Sequence, residues 1–167
     1  MSFASYSQVG QDLFAYEQIG ETGTFLDLGS NDPVEMSNSY ALEQHGWRGL
    51  AIDIDPVMVE RFRNRRTTPV LLGDATQQDW KRICAQHQLG SVIDYLSLDL
   101  DGQEFVVLKN LLAAELAFRV ITCEHDRYQR GDRARTLSRE LLQSHGYTLT
   151  RADVMDDGLE FEDWWTR

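Results

Sequence analysis

Five short apolar runs, each ending at or just before an acidic residue and each followed by a helical pattern, restrict this chain to few folds. The runs are Thr24 to Leu28, Arg48 to Asp53, Pro69 to Gly73, Ile93 to Leu98 and Arg119 to Cys123. All have strand length, and the stretches between them carry helix signals. Ser37-Asn38-Ser39 caps a helix over Tyr40 to His45 that Gly46 stops, and Pro56 opens another that carries Val59 and Phe62. A polar helix is expected over roughly Gln78 to Gln88. Phe105, Leu108, Leu111 and Leu112 mark one face of the next, and a last helix runs from Thr136 to His145. A polar lead-in, Ser7 to Asp12, precedes a helix over Leu13 to Ile19. After Gly146 the pattern changes to period two: Tyr147 to Val154 and Leu159 to Trp165 flank Asp156-Asp157-Gly158, as in a hairpin. Strand–helix alternation closed by a hairpin predicts an α/β fold. The expected sheet is doubly wound, seven-stranded and mostly parallel, with an antiparallel C-terminal hairpin and helices on both faces.

In such a sheet ligands bind beyond the carboxyl ends of the strands, which makes the residues there informative. Asp27, Asp53, Asp74, Asp99 and Glu124 lie at or just inside the ends of the five successive strands. The first strand feeds Gly29-Ser30-Asn31-Asp32, a glycine turn of the kind that brings backbone close to a ligand. A dinucleotide fingerprint needs Gly-x-Gly-x-x-Gly at this point, and only Gly29 is present. Carboxylates around the turn repel a pyrophosphate and suit a ligand that carries an ammonium and a sulfonium. S-adenosylmethionine (SAM) is such a ligand. A NAD-dependent oxidoreductase is correspondingly disfavoured, while a SAM- or nucleotide-binding module without catalysis stays open.

The 167 residues are enough for one domain with a substantial core. The expected organisation is a lead-in and helix over 1–20, the core over 24–154 and the hairpin over 147–165. A formal charge of −11 opposes non-specific binding to nucleic acid or to anionic membrane. Cys84 and Cys123 sit in apolar or helical contexts without metal-ligand spacing and read as reduced thiols. Met1 to Gln11 shows neither a basic nor an apolar leader region, and no apolar run has the length of a membrane span. A cytoplasmic protein is expected.

Several of these segments together resemble the FkbM-type methyltransferases, a branch of the class I SAM-dependent enzymes. The resemblance rests on Tyr6-Ser7-Gln8-Val9-Gly10-Gln11-Asp12, Phe25 to Asp32, Ser37-Asn38-Ser39 with Leu42-Glu43, and Gly46-Trp47-Arg48-Gly49. Ile93 to Gly102, Ile121 to Glu124 and Gly146-Tyr147 complete it in the same order along the chain. It implies a Rossmann-like core in which Asp27, Gly29, Ser30 and Asn31 surround the methionine part of SAM. It further implies that Asp53 binds both ribose hydroxyls, that Asp74 and Ala75 meet the adenine, and that Asp99 sits beside the methyl donor. Three positions depart from the family pattern: Pro33 follows Asp32 in place of a glycine, Asp53 stands for a glutamate, and Asp101 stands where glutamate is common.

Methyl transfer to a hydroxyl needs an aligned acceptor and a group to take its proton. His125 is the expected base, because an imidazole exchanges protons near neutral pH, with Glu124 orienting it or the two roles reversed. Asp99, Asp101, Glu104 and Glu124 offer hard oxygen ligands, but Asp101 and Glu104 also read as a helix cap, and no metal is expected. The expected acceptor is a sugar, a glycan or a glycosylated small molecule. Gln8, Gln11, Arg127 and Arg130 are the side chains expected to hold it, the arginines by gripping a phosphate, sulfate or uronate. Arg127, Arg130, Arg133, Arg135 and Arg139 also read as a solvated face paired with nearby acids. Trp164 and Trp165 read as hairpin packing or as a contact between two copies of the chain.

Overall fold

The computed structural model describes residues 3–167; Met1 and Ser2, the start of the expected lead-in, lie outside the described residues. The elements follow the predicted order. They are α1 (Gln11–Ile19), β1 (Thr24–Leu28), α2 (Tyr40–Gln44), β2 (Arg48–Asp53), α3 (Pro56–Arg65), β3 (Val70–Leu72) and α4 (Trp80–Gln86). There follow β4 (Val92–Leu98), α5 (Glu104–Ala113), β5 (Ala117–Glu124), α6 (Arg127–Arg130), α7 (Asp132–Ser144), β6 (Thr148–Asp156) and β7 (Leu159–Thr166). Helix α6 was not expected. Its sequence, Arg-Tyr-Gln-Arg, carries no apolar periodicity, and it forms where Asp126 turns the chain into the left-handed region at φ 45°.

All seven strands form one sheet in the order β3-β2-β1-β4-β5-β7-β6. Strands β1 to β5 are parallel neighbours. The hairpin does not simply add an antiparallel edge. β7 is the antiparallel strand and lies inside the sheet between β5 and β6, so the outermost strand runs in the same direction as the core strands. Sequence order reverses between β1 and β4, which makes the end of β1 the switch point of the sheet.

Successive side chains in a strand point to opposite faces, and the two cores follow that rule. Leu26, Leu28, Leu96, Leu98, Ile121 and Trp165 pack with Trp80, Leu108, Leu111 and Leu142 of α4, α5 and α7. Phe25, Tyr95, Val120 and Trp164 pack with Phe14 and Ala15 of α1 and Leu42 of α2. A third group joins Ala51 and Val70 to Val59 and Phe62 of α3. Trp164 and Trp165 are both buried in the hairpin, one in each core, so neither is a surface contact for a second copy.

The switch point is very tight. Gly29 has φ 85°, and a Cβ built on it would lie 1.7 Å from the Asp99 carbonyl oxygen. Gly46 has a similar φ of 87° but open space around it. Gly46→Ala is therefore expected to cost only the left-handed strain, about 1–2 kcal/mol. Gly29→Ala must also push β1 away from β4, and urea unfolding should show a loss at least twice as large.

Candidate functional site

The register of the parallel strands builds the site. Leu28 pairs with Ile52 on one side and Leu98 on the other, Leu98 pairs with Cys123, and Glu124 pairs with Glu162. One residue further along, the row across β2, β1, β4, β5 and β7 reads Asp53, Gly29, Asp99, Glu124, Glu162. Four acids thus line the carboxyl edge of the sheet, with a glycine at the switch point. A cleft of about 320 Å³ opens there, lined by Gly29, Asn31, Asp53, Asp74, Ala75 and Asp99 among others. Its lining includes Asp55 and Asp101 as well and contains no lysine or arginine.

On the β2 side Asp53 organises the glycine turn. Its Oδ2 accepts from the Asn31 amide at 2.7 Å and its Oδ1 from the Asp55 amide at 2.8 Å, leaving lone pairs on both oxygens directed outward. The Gly29 and Ser30 amides donate to the Ile52 carbonyl. Asp74 accepts from the Thr76 amide and hydroxyl and caps the short turn over Ala75–Gln77, so it serves as both a cap and a cleft wall. Ile54, 70% exposed, and Met58 face the same opening as the small Ala75.

Two expected cofactor residues do not line this cleft. Asp27 is buried, and its Oδ2 accepts from the Ser39 hydroxyl at 2.5 Å. It lies on the same face as Gly29 but two residues deeper in β1, and burial raises its carboxyl above the ordinary range. Ser30 is buried behind the turn. Both support the loop from beneath.

Asp99 and Glu124 share a hydrogen bond between their carboxyl groups. Burial pushes both above the usual carboxylate range, reinforced at Glu124 by the Asp99 charge and at Asp99 by Glu104, Asp101 and Asp27, so the pair retains a proton at neutral pH. His125 does not join them. It follows Glu124 in the strand and therefore points to the opposite face, only 2% exposed. Its Nδ1 accepts from the Arg127 amide at 3.2 Å, and its Nε2 lies 3.6 Å from Asp163 and 3.8 Å from Asp153. Arg139 donates to both Asp163 oxygens and to Asp153, completing a buried tie between α7 and the hairpin. The expectation of an imidazole base at the cleft is corrected accordingly.

The expected acceptor residues are also engaged. Arg127 pairs with Glu160 and with Asp132, and Arg130 lies 3.4 Å from Asp126 and 3.6 Å from Asp101. Each guanidinium already faces two carboxylates, which removes the basis for gripping an anionic acceptor. Gln8 reaches across to Asp156 in the hairpin turn at 2.5 Å. Gln11 is buried, and its Oε1 accepts from the Val9 amide. Asp12 accepts from Ser5, Tyr6, Ser7 and Leu13 and so shapes the lead-in loop.

No protein-family profile matches the chain, and no curated protein sequence matches it. Solved structures match over almost its full length. A TehB-like SAM-dependent methyltransferase from Corynebacterium glutamicum aligns with a TM-score of 0.61 at 17% identity, covering 95% of this chain and 87% of its own. An O-methyltransferase from Bacillus cereus in complex with SAH (S-adenosylhomocysteine) aligns with a TM-score of 0.69 at 14% identity, covering 99% and 84%. Aeropyrum pernix fibrillarin with natively bound S-adenosyl-L-methionine gives 0.58 at 16% identity, covering 96% and 74%. The chain has the SAM-dependent methyltransferase fold. In this methyltransferase fold, as in other open α/β sheets, the cleft at the switch point is the place for a ligand.

A buried network beneath the cleft escaped the sequence reading. Arg66, which follows the last turn of α3, is buried. It donates to Glu43 at 2.5 Å, to the Pro33 carbonyl at 2.8 Å and to the Ser39 hydroxyl at 3.2 Å, linking α3 to the loop that carries Asp27's partner. Burial alone would raise the Glu43 carboxyl, but hydrogen bonds from Thr68, Thr67 and Arg66 override it and hold it at about 2. A depressed carboxyl contributes stability above its unfolded value and loses it as pH falls towards the folded value. Stability should therefore decline between about pH 4.5 and 2, and Glu43→Gln should flatten that part of the profile in chemical denaturation. Arg66→Met strands Glu43 without its cation and should cost about 3–5 kcal/mol near neutral pH.

Proposed function

We propose that the chain is one FkbM-type methyltransferase domain that uses SAM to methylate a hydroxyl of an uncharged small molecule, with a sugar or glycosylated compound as the expected acceptor. The observation that carries this reading is the acid-lined, cation-free cleft at the switch point. A pyrophosphate-bearing dinucleotide would meet carboxylates and no cation there, whereas an ammonium and a sulfonium are attracted by the carboxylates. When bound, SAM supplies a methyl carbon activated by the sulfonium.

The residues fit that group. Asp53 keeps an outward lone pair on each oxygen, as a pair of ribose hydroxyls requires, and Ile54, Met58 and Ala75 form an apolar slot for a flat ring beside the Asp74 carboxylate. Gly29 leaves open the approach between Asp53 and Asp99. Asp53, Asp74 and Ala75 would hold SAM, and on the far side of Asp99 the Asp99–Glu124 pair would take the proton of the acceptor hydroxyl. The pair carries one negative charge and one proton at neutral pH, so it accepts a second proton without leaving a buried charge unbalanced. The matched arginines and the net charge of −11 favour a neutral acceptor over a phosphorylated one or a nucleic acid.

Turnover of SAM to S-adenosylhomocysteine with a panel of sugars and polyols tests the reading. Tight SAM binding without turnover on any acceptor would support a binding module instead. Asp53→Ala should weaken SAM binding by about 1.5–3 kcal/mol in calorimetry, the range for hydrogen bonds to a charged group. Asp99→Asn should weaken SAM more than S-adenosylhomocysteine, because only SAM carries the sulfonium charge. Equal losses for the two ligands would count against a charge role for Asp99.

A further inference from the structure

Helix α6 begins three residues after Glu124, yet it contributes nothing to the cleft lining. Its last residue, Arg130, reaches back to the loop between β4 and α5. That loop is a wall of the cleft: Leu100, Asp101 and Gln103 all line it. The buried Glu104 carboxyl holds the loop from α5, accepting from the Leu100 amide at 2.8 Å and the Gly102 amide at 3.0 Å. The Arg130 guanidinium meets the loop separately, at Gly102. A Cβ built on Gly102 would come 2.8 Å from Nη1, 3.1 Å from Cζ and 3.3 Å from Nε of Arg130. Three atoms of the group at nearly equal range mean that its flat face rests on the Gly102 backbone, in space that any other residue would fill with its Cβ.

We propose that Arg130 is a positioning residue that clamps the β4–α5 wall of the cleft to α6, and so couples the donor side of the site to the acceptor side. The proposal rests on the methyltransferase reading for the roles of the two sides; the clamp itself needs no ligand. It is anchored on β7 through Asp126. The Asp126 amide donates to the Phe161 carbonyl at 3.1 Å, and the Asp126 carbonyl accepts from the Gln129 and Arg130 amides, both at 2.8 Å. Its buried carboxyl lies 3.4 Å from Arg130 Nε. The second acid beside Arg130, Asp101, is 3.6 Å from Nη2 with its side chain 94% exposed, so that ion pair contributes little. The seat over Gly102 is therefore the main hold on the loop, and Asp126 fixes the guanidinium in it. Arg127 cannot substitute, because its pairing with Asp132 and Glu160 ties α6 to α7 and to the hairpin instead.

The clamped turn is left-handed at two successive residues, with φ 53° at Asp101 and 100° at Gly102. A loop keeps such a conformation only while its contacts over-determine it. With Arg130 seated, the wall is ordered before the cofactor arrives. Without it, the cofactor must order the wall on binding, and its affinity falls by that cost. The contact also acts in the other direction: a cofactor that stiffens the wall stiffens α6, just beyond Glu124.

Hydrogen exchange read by mass spectrometry, on ligand-free wild type and Arg130→Ala, tests the clamp. Segment 100–103 should exchange several-fold faster in the variant, and unchanged exchange there would overturn the proposal. Arg130→Ala also leaves the Asp126 carboxyl without its partner, so Gly102→Ala supplies a second variant. Its methyl group displaces the guanidinium while Arg130 and Asp126 both remain. Calorimetric SAM affinities of the two single variants and the double variant then measure the coupling. Each single change should weaken SAM several-fold. Gly102→Ala should weaken it much less once Arg130 is gone, because only the positive-φ strain is left to act. Losses that simply multiply would sink the idea. Saturating SAM should slow exchange of segment 127–130 in wild type but not in Arg130→Ala; protection of α6 in both proteins would assign the coupling to another contact and overturn the role of Arg130. Wild type whose ligand-free exchange depends on Arg130 as described, yet which binds no SAM, would keep the clamp and refute the methyltransferase reading instead.

Discussion

At residue 29 the fold has room for a hydrogen atom and nothing larger. The end of β1 meets the Asp99 carbonyl there, at the point where the sheet changes winding direction. Because β1 and β4 close on one another so tightly, the ends of β2 and β4 flank a single opening, and Asp53 and Asp99 face it from opposite sides. Every later feature of the site inherits its place from that approach: the positive-φ turn through Asn31, the amides held by the Asp53 carboxylate, and the acid row running out to β7.

That row also explains why the cleft is acidic without being unstable. The charges are not all present together. Asp99 and Glu124 share a proton, Glu162 is neutral near pH 7, and Asp53 is bonded to two backbone amides. The opposite face of the same strand ends is organised differently. There His125, Asp153 and Asp163 are tied by Arg139, and burial is offset by paired charge rather than by bound protons. Holding the Asp163 carboxyl down at about 2 and the Glu162 carboxyl up at about 8, the hairpin places adjacent acids in opposite states simply because a strand alternates faces.

The same alternation marks the limit of what the sequence disclosed. The apolar runs, their glycine and proline stops and the acids at their ends were enough to place all seven strands along the chain, the doubly wound class of the sheet and most of the cleft. Position along a strand was legible, but which face a strand-end residue takes was not, and that misplaced His125; Asp27 shares the face of Gly29 and Asp99 but sits two residues deeper, covered by Ser39. Glu162 was missed for a related reason. Its alternation with Leu159 and Phe161 looks like a solvated face, and it is one only if β7 is an edge strand. Insertion of β7 beside β5 is a long-range pairing that no local pattern encodes, and it buries Glu162 opposite Glu124. Arg66 was hidden similarly, since its partner Glu43 lies 23 residues away, as was the tie of Arg127 to Glu160, 33 residues away; the pairing of Arg127 with Asp132 and of Arg130 with Asp126 agrees with the alternative reading of a face matched by nearby acids.

The two margins of the sheet have a bearing on association. β3 contributes only three residues, and the preceding Pro69 has no amide hydrogen to offer. β6 slips register against β7 at three places and passes through a left-handed residue, Asp153, whose carboxylate is bound by two arginines. One margin is too short and the other too irregular to serve as a template for a strand from another molecule. Growth of the sheet by adding a second copy edge to edge is therefore blocked at both ends, and any partner this protein takes must dock on its helices or its loops.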